Sequence, residues 1–303
     1  MRLTVYTAEW RRHVRSIVDT TPGLVPVVKG NGYGFGRHHL AAIASELADT
    51  IAVGTVHELD GFPDGPTPVV LTPTLDAPAD TRAILTVGSH EHIAALRAWP
   101  GHVIVKLASS MHRYGGGTDL VDKARAIGLR VDGVAIHPPL AGSGRDHLAE
   151  IERWLAAVDP SLDVWVSHVT PAEYAQLPGS HHYRLRLGTA LWHGDKSALR
   201  LEASVLHTTT IAAGERAGYR LGTADRDGTL VMIGAGSANG VQLLTDGRSP
   251  FHHERRRLEL IEPPHMHTSM AFVPAGDPYP PTGSWVDLQR PLTTTLVDET
   301  RWI

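Results

Sequence analysis

From about residue 24 to residue 187 the chain alternates short apolar runs with stretches in which apolar residues recur every three or four positions. Runs of four to six apolar residues bounded by turn formers read as strands buried on both faces, and the longer periodic stretches as amphipathic helices. The series opens with a strand over 3–6 and a helix over 8–18, which Thr7 can cap and which carries Trp10, Val14 and Val18 on one face. After a strand at 25–28 come a helix at 37–48, strands at 50–55, 68–71 and 83–87, a helix at 91–99 and a strand at 102–107. A helix at 119–127, a strand at 130–136, a helix at 146–158, a strand at 163–167, a short helix at 171–176 and a strand at 183–187 complete it. About eight strands, most joined by helices, predict a parallel sheet closed into a (β/α)8 barrel. An open doubly wound sheet would need a G-x-G-x-x-G fingerprint, and Gly30, Gly32, Gly34 and Gly36 fall in a different register.

Past Gly194 the texture changes. Strand-like runs at 201–212, 229–233, 257–261, 268–273 and 284–288 are separated by Gly, Pro and Asp turns, with little helical periodicity. Pro263-Pro264 and Pro278-Tyr279-Pro280-Pro281 read as loops, because proline cannot serve a central ladder. The expected organisation is α/β: a barrel domain over residues 8–195, with residues 1–7 and 196–303 forming a smaller β-rich domain.

Composition narrows the class. The 303 residues carry a net charge of −4, so no basic field argues for nucleic acid, and Arg255-Arg256-Arg257, set between Glu254 and Glu259, reads as a solvated face. No apolar run approaches the roughly 20 residues that span a bilayer, and no early segment has the form of a signal peptide. Without cysteine there is neither a disulfide framework nor a thiol nucleophile, which is compatible with a cytoplasmic protein.

Barrel enzymes place their chemistry after the C-terminal ends of the strands, so the polar residues that follow each apolar run are the candidates. Lys29 ends the first barrel strand, and four glycines at alternate positions with Tyr33 among them follow it. Lys106, Met111 and Arg113 lie at and after the strand at 102–107. His137 ends the next strand, His168 and Thr170 the one after, and Arg186-Leu187-Gly188-Thr189 closes the last. Singly, each has a plain structural explanation: a snorkelling lysine, a rim histidine, a salt-bridging arginine. Together, a lysine amine, a histidine, two arginines and a glycine-bearing turn suit a phosphorylated aldehyde such as pyridoxal 5'-phosphate, captured by the amine and held through its phosphate by backbone N–H groups and a phenol.

These residues carry a resemblance. Val28-Lys29-Gly30-Asn31-Gly32-Tyr33-Gly34-Phe35-Gly36 resembles the Val-Lys-Ala-Asn-Ala-Tyr-Gly-His-Gly signature of the alanine racemase family, the fold-type III pyridoxal-phosphate enzymes. Val105-Lys106 with Met111-His112-Arg113-Tyr114-Gly115, Gly133 to His137, Arg184 to Gly194, and Ala213 to Thr223 are similar to further family motifs in matching order. The resemblance implies a racemase-like isomerase that moves the α-proton of a free amino acid, working as a homodimer with its site at the subunit interface. It implies that Lys29 holds the cofactor and moves the proton on one face, while Tyr33 and the N–H groups of Gly188 and Thr189 bind phosphate. Arg186 would donate to the pyridine nitrogen, His137 would support the ring and Arg186, and Arg113 would face the phenolate and the substrate carboxylate. The main chain of Met266 would reach the substrate across the dimer. Lys106 matches the lysine that the family carbamylates; read without the family, it is equally an inward lysine paired to a carboxylate.

Three departures stand out. The family supplies a second proton carrier as a tyrosine in Ile-Gly-Tyr-Ala-Asp-Gly-Tyr, where this chain reads Ile233-Gly234-Ala235-Gly236-Ser237-Ala238-Asn239-Gly240-Val241; His265 is a candidate substitute. Pro171 stands where a phosphate-binding serine is common, and the family's chain runs on past the point matching Ile303 to another tyrosine. Non-racemising chemistry such as decarboxylation or elimination, or a cofactor-binding protein with weak or no turnover, are therefore alternatives. A metal hydrolase built on His137, His168, His265 and His267 is a third; zinc catalysis needs three ligands in one pocket, and here the His-x-His pair falls in the β-rich part.

Overall fold

The computed structural model describes residues 1–303, and the chain divides into two compact units, Arg12–Gly194 and Met1–Arg11 with Asp195–Ile303. A strand β1 (Arg2–Val5) and a helix α1 (Thr7–Thr20) open the chain. The barrel strands follow as β2 (Leu24–Pro26), β3 (Thr50–Val53), β4 (Thr67–Val70), β5 (Ile84–Val87), β6 (His102–Lys106), β7 (Arg130–Ala135), β8 (Asp163–Val166) and β9 (Tyr183–Leu187). They form one parallel sheet in the order β2-β9-β8-β7-β6-β5-β4-β3. The two ends of that order meet through a single parallel bridge, Val27 to Ala52, with the Val28 amide donating to the Ala52 carbonyl at 2.8 Å. The sheet therefore closes, and the seam between β2 and β3 is its thinnest join. Ile51, Val53, Val69, Val70, Leu85, Val87, Val103 and Val105 are all fully buried, as strands covered on both faces require; each contributes on the order of 1.5–3 kcal/mol.

Helices α2 (Arg37–Ser45), α3 (His90–Ala95), α4 (Asp119–Ala126), α5 (Gly144–Leu155), α6 (Pro171–Tyr174) and α7 (Thr189–His193) follow β2, β5, β6, β7, β8 and β9. Capping boxes start α5, through Ser143 and Asp146, and α6, through Thr170 and Glu173 with Pro171 in the first turn. No α-helix joins β3 to β4 or β4 to β5. Pro63, Pro66, Pro73 and Pro78 interrupt those connections, leaving a 3-10 turn, Val56–Leu59, after β3.

In the second unit β10 (Leu199–Ile211) is the spine, antiparallel to β1 and to two strands described next. A small hairpin, β11 (Arg216–Ala217) with β12 (Gly222–Thr223), precedes β13 (Gly228–Ile233), which pairs with β10. Then come β14 (Phe251–His253), β15 (Arg256–Arg257), β16 (Glu259–Leu260), β17 (Ser269–Pro274), β18 (Trp285–Leu288), which also pairs with β10, and β19 (Glu299–Trp302), parallel to β1. The strand predicted at 257–261 is two short strands interrupted at Leu258, a buried core residue. The arginine run is solvent-exposed at Arg255 and Arg256, as expected, and forms the turn of a hairpin in which Glu254 and Arg255 both have positive φ and Arg256 pairs with Asp277.

Candidate active site

Lys29 stands at the mouth, just past β2, and the chain beyond it is held in an unusual course. Gly30, Gly32, Gly34 and Gly36 all have positive φ, and so does Tyr33 at 56°, where a bulky residue is strained. The surroundings fix it there: the Asn31 side chain accepts from the Gly34 amide at 3.2 Å, and His193 Nε2 hydrogen-bonds the Tyr33 carbonyl at 2.7 Å. The course buries the phenol against Gly188, where an added Cβ would lie 1.9 Å from Tyr33 Oη. Burial, then the nearby Glu58 carboxylate, push the phenol up to about 12, so it stays a proton donor at neutral pH. Lys29 as a residue is accessible, yet burial of its amine in the mouth, followed by the charges of Arg113 and Arg186, lowers it from the ordinary lysine value, with Glu58 opposing.

Arg186 lies in the barrel interior. Its Nε donates to the Val166 carbonyl at 3.3 Å, and Nη2 to the Ile136 and Trp165 carbonyls at 2.9 and 3.3 Å, so three carbonyls from the ends of two strands, β7 and β8, fix the guanidinium while Nη1 takes no part in these bonds. Burial, with Arg113 acting against the favourable Tyr114, brings it down to about 10, still charged at neutral pH. His137 packs against His168 with ring centroids 4.3 Å apart and ring planes tilted by 57°. Burial and then the charges of Arg186, His168, Lys106 and Arg113 push His137 down to about 2, so it is an uncharged imidazole. His168, at φ 61°, turns Nδ1 to the Pro138 carbonyl at 2.8 Å.

Lys106, 2 % exposed, has no hydrogen-bond partner for Nζ. The pairing with a carboxylate that the sequence allowed is absent, because the nearest candidate is engaged elsewhere: Glu150 on α5 accepts from the Ser110 amide at 2.7 Å and the Ser110 hydroxyl at 2.8 Å. Burial, then Arg186 and Arg113, bring Lys106 down to about 6, with Glu150 opposing at longer range. Trp154 Nε1, one turn along α5, donates to the Ala108 carbonyl at 2.9 Å, so α5 holds the loop that carries Arg113. Arg113 is exposed, its guanidinium 4.5 Å from the Tyr114 ring centre.

The Alanine racemase, N-terminal domain family model matches residues 5–195, the barrel and its approaches. The chain belongs to the alanine racemase family. An alanine racemase of Alteromonas mediterranea is 25% identical over 257 residues, covering 74% of this chain and 71% of that protein, and one of Methylobacterium nodulans is 28% identical over 294 residues, covering 82% and 76%. The fold is shared with the Bartonella henselae alanine racemase solved with covalently bound pyridoxal phosphate, at a TM-score of 0.75 and 18% identity over 99% of both chains. Alanine racemases are pyridoxal-phosphate-dependent isomerases.

Within this family the departures now have a structural setting. Ala235 is fully buried among the apolar residues of the β-rich unit. Ala235 to Gly240 carries no ionisable side chain, and its tip is laced to the next loop by the Ser237 amide donating to the His265 carbonyl at 2.8 Å and the Ala238 amide to the Met266 carbonyl at 2.9 Å. His265 Nε2 bonds buried Glu262, which also accepts from the Tyr219 and Arg220 amides at 2.9 and 2.7 Å, and the exposed Tyr219 ring packs tilted against the His265 ring, centroids 4.5 Å apart. Met266, 66% exposed, thus belongs to the β-rich unit, while Lys29, Tyr33, Arg113, His137, Arg186, Gly188 and Thr189 share the barrel mouth. No group of three or more His, Asp or Glu side chains is arranged to hold a metal ion. Sequence reasoning missed Glu58 and Glu150. Glu58 follows the strand Thr50–Val53, so inspecting every strand end would have reached it; Glu150 sits mid-helix among other charges and carried no signal.

Proposed function

We propose that the barrel mouth binds pyridoxal phosphate through Lys29 and moves the α-proton of a free amino acid, as an amino-acid racemase does. The observation that carries this reading is the meeting, at one mouth, of a lysine amine of lowered basicity, a guanidinium fixed by three carbonyls of two strand ends, and a phenol seated on a glycine turn. That donor set fits the cofactor: there is an amine for an aldehyde, a cation for a ring nitrogen, and a hydroxyl with neighbouring amides for a phosphate. When bound, the cofactor supplies a carbonyl that captures amines and a ring that draws electron density from the substrate's α-carbon.

The chain's own residues do the rest. Tyr33 Oη, kept protonated, donates to the phosphate together with the N–H groups of Gly188 and Thr189. Arg186 faces the ring nitrogen and, remaining charged, leaves that nitrogen without a proton. His137, uncharged, packs beside the ring and Arg186. Arg113 binds the phenolate side and the substrate carboxylate. Lys29 Nζ, its proton loosened by burial and two guanidiniums, takes and returns the α-proton on its own face.

The opposite face is served from a second copy in a two-fold dimer, whose Met266 main chain reaches the substrate. His137 does not supply the proton there, since an imidazole with a pKa of about 2 holds none at neutral pH. His265, held by Glu262 beside the segment that lacks the tyrosine, is the candidate carrier. A visible absorbance band on adding pyridoxal phosphate, abolished by Lys29→Ala, is the expected outcome; a protein that stays colourless defeats the reading. Exposure of L- and D-amino acids in heavy water then separates racemisation, with α-deuterium and inversion, from a second reading favoured by the missing tyrosine: decarboxylation, elimination or no turnover.

A further inference from the structure

Glu58 sits in the 3-10 turn after β3, and Oε2 accepts from the Gly54 amide at 2.6 Å, four residues back. Taken alone, that is a local cap at the start of a turn. The other oxygen leaves the turn: Oε1 accepts from the Gly30 amide at 2.9 Å, on the far side of the seam where β2 and β3 share a single bridge. Gly30 is the residue after Lys29. A Cβ built on Gly54 would lie 3.2 Å from Lys29 Cβ and 3.0 Å from Glu58 Oε2, so the absence of a side chain at 54 lets the carboxylate and the lysine stem stand together.

We propose that Glu58 is a positioning residue for Lys29, its carboxylate joining the ends of β2 and β3 at the thinnest seam of the barrel and thereby fixing where the amine stands. The role rests on the reading of Lys29 as the cofactor lysine. A bond across the seam is needed here more than elsewhere, because every other strand end in the barrel is held by a ladder with its neighbour. Glu58 also differs in sign from the other charged groups around Lys29: Arg113 and Arg186 are cationic, and the nearby His168 is neutral or cationic. Its loss removes the anion that favours the ammonium form.

The test compares the unmodified protein with Glu58→Gln, whose amide nitrogen must face one of two N–H donors. Expected are slow hydrogen exchange at the Gly30 and Gly54 amides, at least about tenfold faster in the variant, and a roughly tenfold rise in Kd for pyridoxal phosphate followed by absorbance, from loss of charge-assisted bonds. The pH midpoint of the rate of cofactor uptake moves downward in the variant, a shift that loss of a purely structural staple does not produce. Unprotected Gly30 and Gly54 amides in the unmodified protein overturn the proposal, as does a folded variant with unchanged affinity and midpoint. If Glu58→Gln does not fold, Gly54→Ala, which crowds the carboxylate while keeping its charge, takes its place in the exchange and affinity measurements, where unchanged amide exchange and affinity overturn the proposal. A wild-type protein that takes up no cofactor sinks the cofactor reading, while the amide exchange still reports on the staple.

Discussion

At Gly188 a single hydrogen decides whether the Tyr33 phenol can keep its seat. A Cβ there would overlap the rigid end of Tyr33, so Gly188→Ala must displace the phenol, and affinity for pyridoxal phosphate is expected to fall by at least about tenfold, read by absorbance titration. Lys106 makes a different prediction. Its folded value of about 6 lies below the ordinary 10.5, so between those limits the unfolded chain binds the extra proton and stability rises with pH. Relative to Lys106→Met, the apo protein should gain stability from pH 6.5 to 8.5 by no more than about 1.4 kcal/mol per pH unit, with the difference levelling off below about pH 6 where both states hold the proton. Denaturant titrations at several pH values check this; a difference that falls as pH rises contradicts the neutral buried amine. The turn after Lys29 was legible because four alternate glycines free the backbone to bend, whereas the strained φ of Tyr33 and the bonds of Glu58 and Glu150 were not, since each depends on partners distant in sequence.

At the scale of elements, α5 does more than cover the barrel. Its start is set locally by the Ser143 and Asp146 capping box, but its inward face places Glu150 and Trp154 on the loop that bears Arg113. Glu150→Ala should cost about 1–3 kcal/mol in stability, as the Ser110 amide loses its acceptor, and should raise KM for the amino acid more than it lowers kcat, because Arg113 loses its fixed platform. Equal KM values for the two proteins would remove α5 from substrate binding. The strand and helix order was readable from apolar runs, since a parallel barrel buries its strands on both faces. The two connections without α-helices were marked by their prolines, and the short strands of the β-rich unit were not marked at all: pairs such as Arg216–Ala217 with Gly222–Thr223 owe their existence to cross-strand bonds that no periodicity announces.

For the whole molecule the open question is how a chain whose tyrosine segment has become Ala235 to Gly240 completes a site that needs proton carriers on two faces. The β-rich unit offers one joined edge, in which that segment is hydrogen-bonded to His265 and Met266 and the imidazole is anchored by Glu262. If this edge serves the barrel of a second copy, Lys29 and His265 of one working site come from different chains, and inactive variants can complement each other. Lys29→Ala mixed with His265→Ala and allowed to exchange subunits gives about half heterodimers, each with one site that has both residues intact and one with neither, so activity should recover to about a quarter of wild type. If both groups act within a single chain, no mixture regains activity, because every site then lacks one of them. If His265→Ala alone racemises normally, the proton on the second face comes from elsewhere, and the Glu262–His265 pair is reduced to holding the loop in place.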